Sequence, residues 1–238
     1  MSEIIDNSTK RKDLLKHLLI QLHEGAPAEV LRGRLIEVLS SIPYNEVVEV
    51  EQELINSGTL TSEEILDFCD LHTSVLDGSI DLEGAKTIPP GHPVDTFKKE
   101  NIAIRNEIDK AHHLFEDLKS VTKENINEYV IKIRTVFNAL SDIDKHYKRK
   151  EYLLFPYLEK HEVTGPPKVM WGKHDEIRGL MKDIYEALET PEIDVEELKP
   201  IIEMVIKPVL ELIEGMIMKE EEILLPMTMD TLTNEEWY

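Results

Sequence analysis

The stretch that decides the fold is Lys150-Glu151-Tyr152-Leu153-Leu154-Phe155-Pro156, which is similar to Glu220-Glu221-Glu222-Ile223-Leu224-Leu225-Pro226 seventy positions later. A second pair of segments occurs in the same order, because residues 100–105 resemble residues 173–178 at an offset of seventy-three. Two similar motifs at nearly equal offsets indicate a duplicated helical hairpin. Amphipathic helices also reuse Leu, Glu and Lys, so a chance likeness is the alternative.

Helical patterns extend outward from this repeat. Apolar residues recur at helical spacing over about 93–121, 123–160, 168–188 and 195–228, whereas strand-like alternation is nearly absent. Pro93 suits the first position of a helix, and Gly165-Pro166-Pro167 breaks the chain between the second and third helices. Four such helices with short connections predict an all-α protein with an up-down four-helix bundle.

The first part of the chain predicts a separate, smaller helical domain. Stripes of Leu and Val predict three helices before Gly58, which can close the third with a left-handed cap. Thr61 followed three residues later by Glu64 is a capping-box pattern that predicts the start of a fourth helix. Residues 79–91 contain clustered Gly and Pro and have the composition of a linker. We therefore predict an N-terminal helical domain at residues 1–85 and the bundle at residues 86–238.

The composition argues against several functions. The 238 residues include 27 Lys and Arg against 48 Asp and Glu, and the net charge of −21 disfavours binding to nucleic acid or to an anionic membrane. No apolar run approaches the roughly 20 residues of a membrane span. The single cysteine, Cys69, rules out an internal disulfide framework and suits a reducing compartment. The sequence thus predicts a soluble, cytoplasmic protein.

Duplication places equivalent residues of the two hairpins at one end of the bundle. His146 and Met216 each lie ten residues before the proline of their repeat, and His174 is the counterpart of Asn101. Carboxylates follow five residues beyond the first two positions, with one more beside them: Glu151, Glu221 and Glu220. Imidazole and carboxylate ligands suit iron, zinc or manganese. The pattern predicts a metal site in which Glu151 and Glu221 would bridge a pair of metals.

These residues resemble the hemerythrin-like (HHE cation-binding) family. His146, Glu151 and Leu154-Phe155-Pro156 match its repeated signature, and His174 matches the His that opens the following helix. The resemblance implies a non-haem iron site, often a carboxylate-bridged pair of irons. Three further segments resemble a subfamily in which a helical domain of unknown function, DUF438, precedes the bundle: residues 51–55, 69–72 and 91–101.

The chain departs from the family pattern at Asn101 and Met216, where typical members have His. The usual site of five His cannot form from these positions, so reversible carriage of dioxygen is not expected. We expect a carboxylate-rich site in which His92 replaces the missing ligand of the first helix, although His92 also suits a cap before Pro93. The predicted metal ligands are His92, His146, Glu151, His174, Glu220 and Glu221. Solvated surface positions are the alternative for these side chains. We interpret Met216 as a packing residue rather than a thioether ligand.

Two other groups are weaker candidates. His112 and His113 lie eleven and twelve residues beyond Asn101, roughly 17 Å along a helix axis, and we interpret them as structural or surface residues. Cys69 with His72 could form a redox-sensitive thiol or a second metal site, but a buried helical cysteine is the commoner outcome. The ferritin-type Glu-x-x-His motif and the zinc-peptidase His-Glu-x-x-His motif are both absent.

Three functions remain open from the sequence. The leading hypothesis is a non-haem iron protein that senses or handles oxygen, nitric oxide or redox state. The alternatives are a metal-free helical interaction or regulatory module, which the missing His favour, and an iron enzyme that reduces oxygen or peroxide or repairs damaged iron centres. The resemblance implies a small gaseous ligand or oxidant as partner and a fused or separate signalling domain, since related chains often continue into a PAS domain. Residues 233–238 read like the opening of another element, and the sequence is compatible with a homo-oligomer.

Overall fold

The computed structural model describes residues 2–39, 42, 44–61, 64, 87–189 and 193–238, and every regular element within these ranges is helical. This confirms the all-α prediction. By packing, the chain divides into two compact units. The first comprises Met1–Thr87, Phe155–Gly172 and Met218–Tyr238, and the second comprises Ile88–Leu154 and Lys173–Ile217. The predicted domain boundary between residues 85 and 86 lies within the undescribed segment 65–86, and it stays a prediction.

Three N-terminal helices form the start of the first unit: α1 (Ser2–His23), α2 (Ala28–Leu39) and α3 (Tyr44–Asn56). Ion pairs join α1 to α3 in parallel register, with Lys12 Nζ 2.5 Å from Glu49 Oε2 and Lys16 Nζ 2.5 Å from Glu53 Oε1. Beneath these pairs the apolar stripes form one buried core, which also includes a residue from the later part of the chain. Its members are Leu15, Leu18, Leu19, Leu31, Leu35, Val38, Ile42, Val47, Val50, Leu54, Leu60 and Val169.

The two predicted capping signals are both present. Gly58 has φ +70°, and its N–H donates to Ile55 O while the N–H of Thr59 donates to Leu54 O. These two bonds define a Schellman motif, which needs a left-handed residue at the glycine position. Thr61 and Glu64 bond reciprocally, each side chain accepting from the other's backbone N–H. The capping box is therefore confirmed, and the rest of the predicted fourth helix lies outside the described residues.

The second unit contains four antiparallel helical segments, as the bundle prediction requires. Helix α4 (Pro93–Glu116) is followed by a short 3₁₀ turn, and the second segment begins with α5 (Ile126–Leu140) and α6 (Ile143–Arg149). Tyr129 at the start of α5 donates to Leu114 O near the end of α4 at 2.6 Å, so these helices run in opposite directions. The third segment is part of α8 (Gly165–Leu188), in which Tyr185 donates to Phe137 O at 2.6 Å.

The remaining helices complete the second and fourth segments. They are α7 (Phe155–Lys160), α9 (Val195–Ile201), α10 (Lys207–Lys219), α11 (Leu225–Thr231) and the terminal α12 (Asn234–Trp237). Between them the described chain contains three π turns, named π1 (Lys150–Leu154), π2 (Ile202–Ile206) and π3 (Glu220–Leu224). The sequence predicted uninterrupted helices at these places.

Each π turn has the same local cause. Pro156, Pro208 and Pro226 each lie four residues after the central residue of a π turn. A proline inside a helix has no N–H for the carbonyl four residues earlier, and its ring clashes with that carbonyl. A locally widened turn relieves both problems, and such π turns often mark functional sites. The π turns π1 and π3 start seventy residues apart, which is the offset of the sequence repeat. The duplication seen in the sequence is therefore present in the backbone as well.

Candidate metal centre

His146 lies on α6 and is buried, between a carboxylate and an ammonium group. Its Nδ1 is 2.6 Å from Glu100 Oε2, and its Nε2 is 2.7 Å from Lys150 Nζ. An ammonium nitrogen can only donate, so Nε2 must accept and the ring proton lies on Nδ1, where it bonds Glu100. The edge of Phe97 closes another side, with ring centroids 5.9 Å apart. The imidazole is thus held in a defined orientation by contacts at both ring nitrogens.

His174 lies on α8 and is fully buried in the same region. Its Nδ1 is 2.8 Å from Glu151 Oε1, and its ring stacks on Tyr147 at 3.8 Å between centroids with an interplanar angle of 11°. The ring of His146 also lies near Tyr147, at 6.0 Å between centroids. The separation of the two imidazoles therefore cannot exceed the sum of these two spacings. Tyr147 brings together the two histidines that the repeat predicted to share one end of the bundle.

Each carboxylate that bonds a histidine also accepts a hydrogen bond from an arginine side chain. Glu151 is 2% exposed and accepts from Arg178 Nη2 at 2.8 Å, while Glu100 accepts from Arg149. Burial raises the pKa of each carboxyl, but hydrogen bonds from the histidine and the arginine outweigh it, so the pKa of both Glu100 and Glu151 is lowered. Both groups are therefore ionised at neutral pH and act as acceptors.

Sequence reasoning missed Lys150, which is fully buried at the centre of this arrangement. Besides the contact with His146, its Nζ lies 5.0 Å from the centroid of the Tyr147 ring, within the range of a cation–π interaction. Lys150 follows His146 by four residues, a spacing that places both side chains on one helix face. That spacing is the sequence signal for Lys150. A lysine in a charged stretch is usually solvated, however, so the spacing alone does not predict a buried side chain.

The donor set fits a metal ion by its chemistry. A metal-binding histidine normally donates its other ring N–H to a carboxylate, and both His146 and His174 have a carboxylate on Nδ1. The same arrangement also contains cationic groups. Three cationic side chains, Arg149, Lys150 and Arg178, lie within it, and within the described ranges no group of three His, Cys, Asp or Glu side chains is placed to hold a metal ion.

The other predicted ligands are placed as follows. His92 is buried, and its Nδ1 accepts from the backbone N–H of Val94 at 3.2 Å, so it caps α4. Burial lowers the pKa of His92, which keeps the ring neutral. Glu220 is fully buried and Glu221 is half-buried, both on π3 within the first compact unit. Their role as ligands stays a prediction, as does that of His92.

Positions set aside from the site have surface or packing environments. His113 is 78% exposed beside Glu116, and His112 is half-buried, with Nε2 3.9 Å from a carboxylate oxygen of Glu214. Met216 is buried, which is compatible with a packing role, and Asn101 is fully buried on α4. Cys69 and His72 lie outside the described residues.

A surface groove opens beside His146 between α4 and the second helical segment. It has a volume of about 320 Å³, and its lining includes Glu100, Glu107, Asp142, His146 and Arg149. Acidic side chains therefore line a route from solvent to one of the two imidazoles, which a buried metal site needs for loading.

The fold and the site together define a helical bundle with histidine–carboxylate pairs buried at one end. The Hemerythrin HHE cation binding domain matches residues 92–228, which is more than half of the chain, and the protein belongs to this family. Residues 15–82 match a family of unknown function, DUF438. Both resemblances expected from the sequence are confirmed. A search of curated proteins finds no match, and within the described part of the chain no helix is long and apolar enough to cross a membrane.

Proposed function

We propose that the bundle binds non-haem iron and that the protein senses or handles oxygen, nitric oxide or redox state. The observation that carries the proposal is the pairing of His146 with Glu100 and of His174 with Glu151 around Tyr147. Two buried imidazoles held through Nδ1 are difficult to explain by packing alone, because burying polar groups costs free energy. Membership of a cation-binding domain family supports the same function.

In this proposal His146 and His174 would ligate through Nε2. Glu151 would contribute a carboxylate oxygen. The remaining predicted ligands are Glu220 and Glu221 from the sequence repeat and His92, which would replace the missing ligand of the first helix. Iron, when bound, would supply a centre that takes up small gaseous ligands or exchanges electrons. The chain's own part is to fix the orientation of the two imidazoles, to neutralise the carboxylates through arginines and to shield the site with Phe97 and Tyr147. Whether one or two irons bind is part of what the experiment must decide.

A route for transmitting the state of the site begins at α8. Gln52 Oε1 on α3 accepts from the backbone N–H groups of Thr164 and Gly165 at 3.2 and 2.9 Å, so the DUF438-matching segment caps this helix. The same helix carries His174 nine residues further on. A change at His174 would therefore reach, through one helix, a contact with the N-terminal segment. This continuity supports a signalling role over simple metal storage.

The second candidate is a metal-free helical interaction or regulatory module. A specific observation favours it, because Lys150 already places a positive charge on the Nε2 of His146. An iron-dependent enzyme that reduces oxygen or peroxide is a further alternative, and the groove beside His146 would give its substrate access. Turnover assays with peroxide and with nitric oxide separate a sensor from an enzyme.

Metal stoichiometry together with the optical spectrum tests the proposal. The full chain is loaded anaerobically with Fe²⁺, freed of excess metal, analysed for iron and scanned in the near-ultraviolet before and after exposure to air. We expect one or two irons per chain and a spectrum that changes with air. His146→Ala should lose the iron, whereas His113→Ala, at an exposed position, should retain it. Wild type that binds no iron while folded would favour the metal-free module.

A further inference from the structure

We propose that Lys150 is a built-in competitor for the metal, so that its ammonium group and a metal ion alternate at Nε2 of His146. This inference rests on the proposed function. With the ring proton on Nδ1 facing Glu100, Nε2 has one lone pair. The 2.7 Å contact with Lys150 Nζ uses that lone pair. A metal ion needs the same electrons, so both cannot occupy His146 at once.

The contact between Lys150 and His146 is buried, so it competes with a metal ion more strongly than the same contact would at the surface. Lys150 and His146 are 0% and 2% exposed, so water cannot freely replace either partner. The Tyr147 ring adds a second favourable contact for the ammonium at 5.0 Å. Lysine is almost never fully buried unless it is paired. The chain therefore stabilises a positive charge at the position that a divalent ion would otherwise fill.

The surrounding charges point to the same conclusion. The carboxylates of Glu100 and Glu151 are already paired with Arg149 and Arg178, and with the two imidazoles. Arg178 also bonds Asp144 and Asp175, whereas Lys150 contacts the Nε2 of His146. Metal entry at His146 thus requires the lysine ammonium to leave. A groove lined by Glu100, Glu107 and Asp142 lies beside that histidine, so a cation that enters or leaves through it would pass acidic side chains.

The consequence is a conditional metal site. When the binding-competent form is only a fraction of the molecules, the apparent dissociation constant rises by the inverse of that fraction. If the ammonium occupies His146 in about nine molecules of ten, removing it lowers the dissociation constant about tenfold. Lys150→Met removes the charge while retaining most of the side-chain volume, so it isolates this effect.

The test measures Zn²⁺ binding to the metal-free full chain by calorimetry. The proteins are wild type, Lys150→Met, the double variant Lys150→Met/His146→Ala and the matched control Lys173→Met. Lys173 is also buried, but its Nζ bonds Glu176 at 2.9 Å. We expect Lys150→Met to bind Zn²⁺ about tenfold more tightly, Lys173→Met to bind within about twofold of wild type, and the double variant to lose the gain. Lys150→Gln replaces Lys150→Met if circular dichroism shows that the latter does not fold.

The outcomes separate the inference from the proposed function. Equal Zn²⁺ affinity in wild type and Lys150→Met, lost in His146→Ala, overturns the competition but leaves the metal site standing. Binding by Lys150→Met but not by wild type supports the competition and contradicts the metal function of the natural chain. Failure of every folded variant to bind overturns both. In wild type, the ¹⁵N resonance of His146 Nε2 should move as Zn²⁺ binds, and an unchanged resonance in the bound protein would overturn the competition.

Discussion

The carboxylates of Glu100 and Glu151 determine what the two site histidines can do. By accepting from Nδ1, each places a ring proton on that nitrogen and fixes the orientation of its imidazole. The sequence pointed to His146, His174 and Glu151 because the repeat and the spacing to proline are visible in one dimension. Glu100, Lys150 and Arg178 were not predicted, because charged residues on amphipathic helices are usually solvated and only the three-dimensional packing shows that these face inward.

Arg178 is expected to stabilise the site more than its partial exposure suggests. Its guanidinium donates to Glu151, Asp144 and Asp175, all at 2.7–2.8 Å, and the first of these carboxylates is buried. Burial lowers the pKa of Arg178, but these hydrogen bonds outweigh it and raise the pKa. Arg178→Met would leave the Glu151 charge poorly paired and should lower the free energy of unfolding by about 2–3 kcal/mol.

Urea denaturation monitored by circular dichroism measures this difference. The matched control is Lys182→Met on the same helix, where an exposed lysine lies 3.5 Å from Glu186 and should contribute less than about 0.5 kcal/mol. Equal, small effects of the two substitutions would show that Glu151 does not depend on Arg178.

Glu51 on α3 is expected to make the stability of the first unit depend on pH. Burial raises the pKa of this carboxyl from 4.5 to about 8. A raised folded-state pKa contributes stability that is fully present below pH 4.5 and is lost as pH rises towards 8. Glu51→Gln mimics the neutral carboxyl at every pH, so it should stabilise the protein at pH 8 by about 1–3 kcal/mol and have little effect near pH 4.5.

Thermal unfolding of both proteins across this pH range checks the prediction. Glu53→Gln on the same helix is the control, because Glu53 is largely exposed and pairs with Lys16. A wild-type minus variant difference that does not change between pH 5 and pH 8 would contradict the assignment of Glu51 as a buried neutral carboxyl.

At the scale of elements, the sequence predicts the presence and the ends of helices better than it predicts their internal geometry. The Schellman motif at Gly58, the capping box at Thr61 and the start of a helix at Pro93 follow from local chemistry and are confirmed. Helix α8 begins at Gly165 rather than at 168, because its two prolines occupy the first turn, where no N–H partner is needed. The second helical segment breaks near Ser141, whose hydroxyl donates to Asn138 O and competes with the helix backbone.

The hydrophobic periodicity of the sequence does not predict the π turns, since a pattern with 3.6 residues per turn does not reveal one inserted residue. The signal was available in Pro156, Pro208 and Pro226, each inside a long apolar pattern. The insertion matters at π1, where neighbouring residues Lys150 and Glu151 are both buried. The two side chains then contact different histidines, and this arrangement is the part of the site that residue spacing alone could not give.

The cap at the start of α8 leads to a prediction at the element scale. Gln52 Oε1 accepts from two backbone N–H groups there, and a Cβ on Gly165 would lie 3.3 Å from that oxygen. Gln52→Ala should lower the free energy of unfolding by about 1 kcal/mol, as expected for loss of a helix cap. Gly165→Ala should weaken the same contact by crowding the oxygen.

The control for this pair is Asn56→Ala, which removes an exposed partner of the Gln52 amide nitrogen without touching the cap. Chemical denaturation should show a smaller effect for Asn56→Ala than for Gln52→Ala. If all three substitutions are neutral, the contact between α3 and α8 does not contribute to stability, and the proposed route from His174 to the N-terminal segment loses its support.

At the scale of the whole molecule, a net charge of −21 surrounds a centre in which the chain supplies its own cations. A strongly acidic surface raises the local concentration of cations, whereas Arg149, Lys150 and Arg178 oppose their entry at the site. Family membership establishes a cation-binding domain fold. Within that fold we propose that His146, His174 and Glu151 bind a metal ion whose binding energy adds to the stability of the protein.

The measurement that tests this claim most directly is the thermal midpoint of wild type, His146→Ala, Glu151→Ala and His113→Ala with Fe²⁺ and with a chelator. A ligand that binds only the folded state at a hundredfold excess over its dissociation constant stabilises it by about 2.7 kcal/mol. We expect wild type and His113→Ala to melt higher with iron than with chelator, while the other two variants retain their helical content and show no such shift. If wild type and Glu151→Ala respond equally to iron and to chelator, the metal-site account is wrong and the metal-free module replaces it.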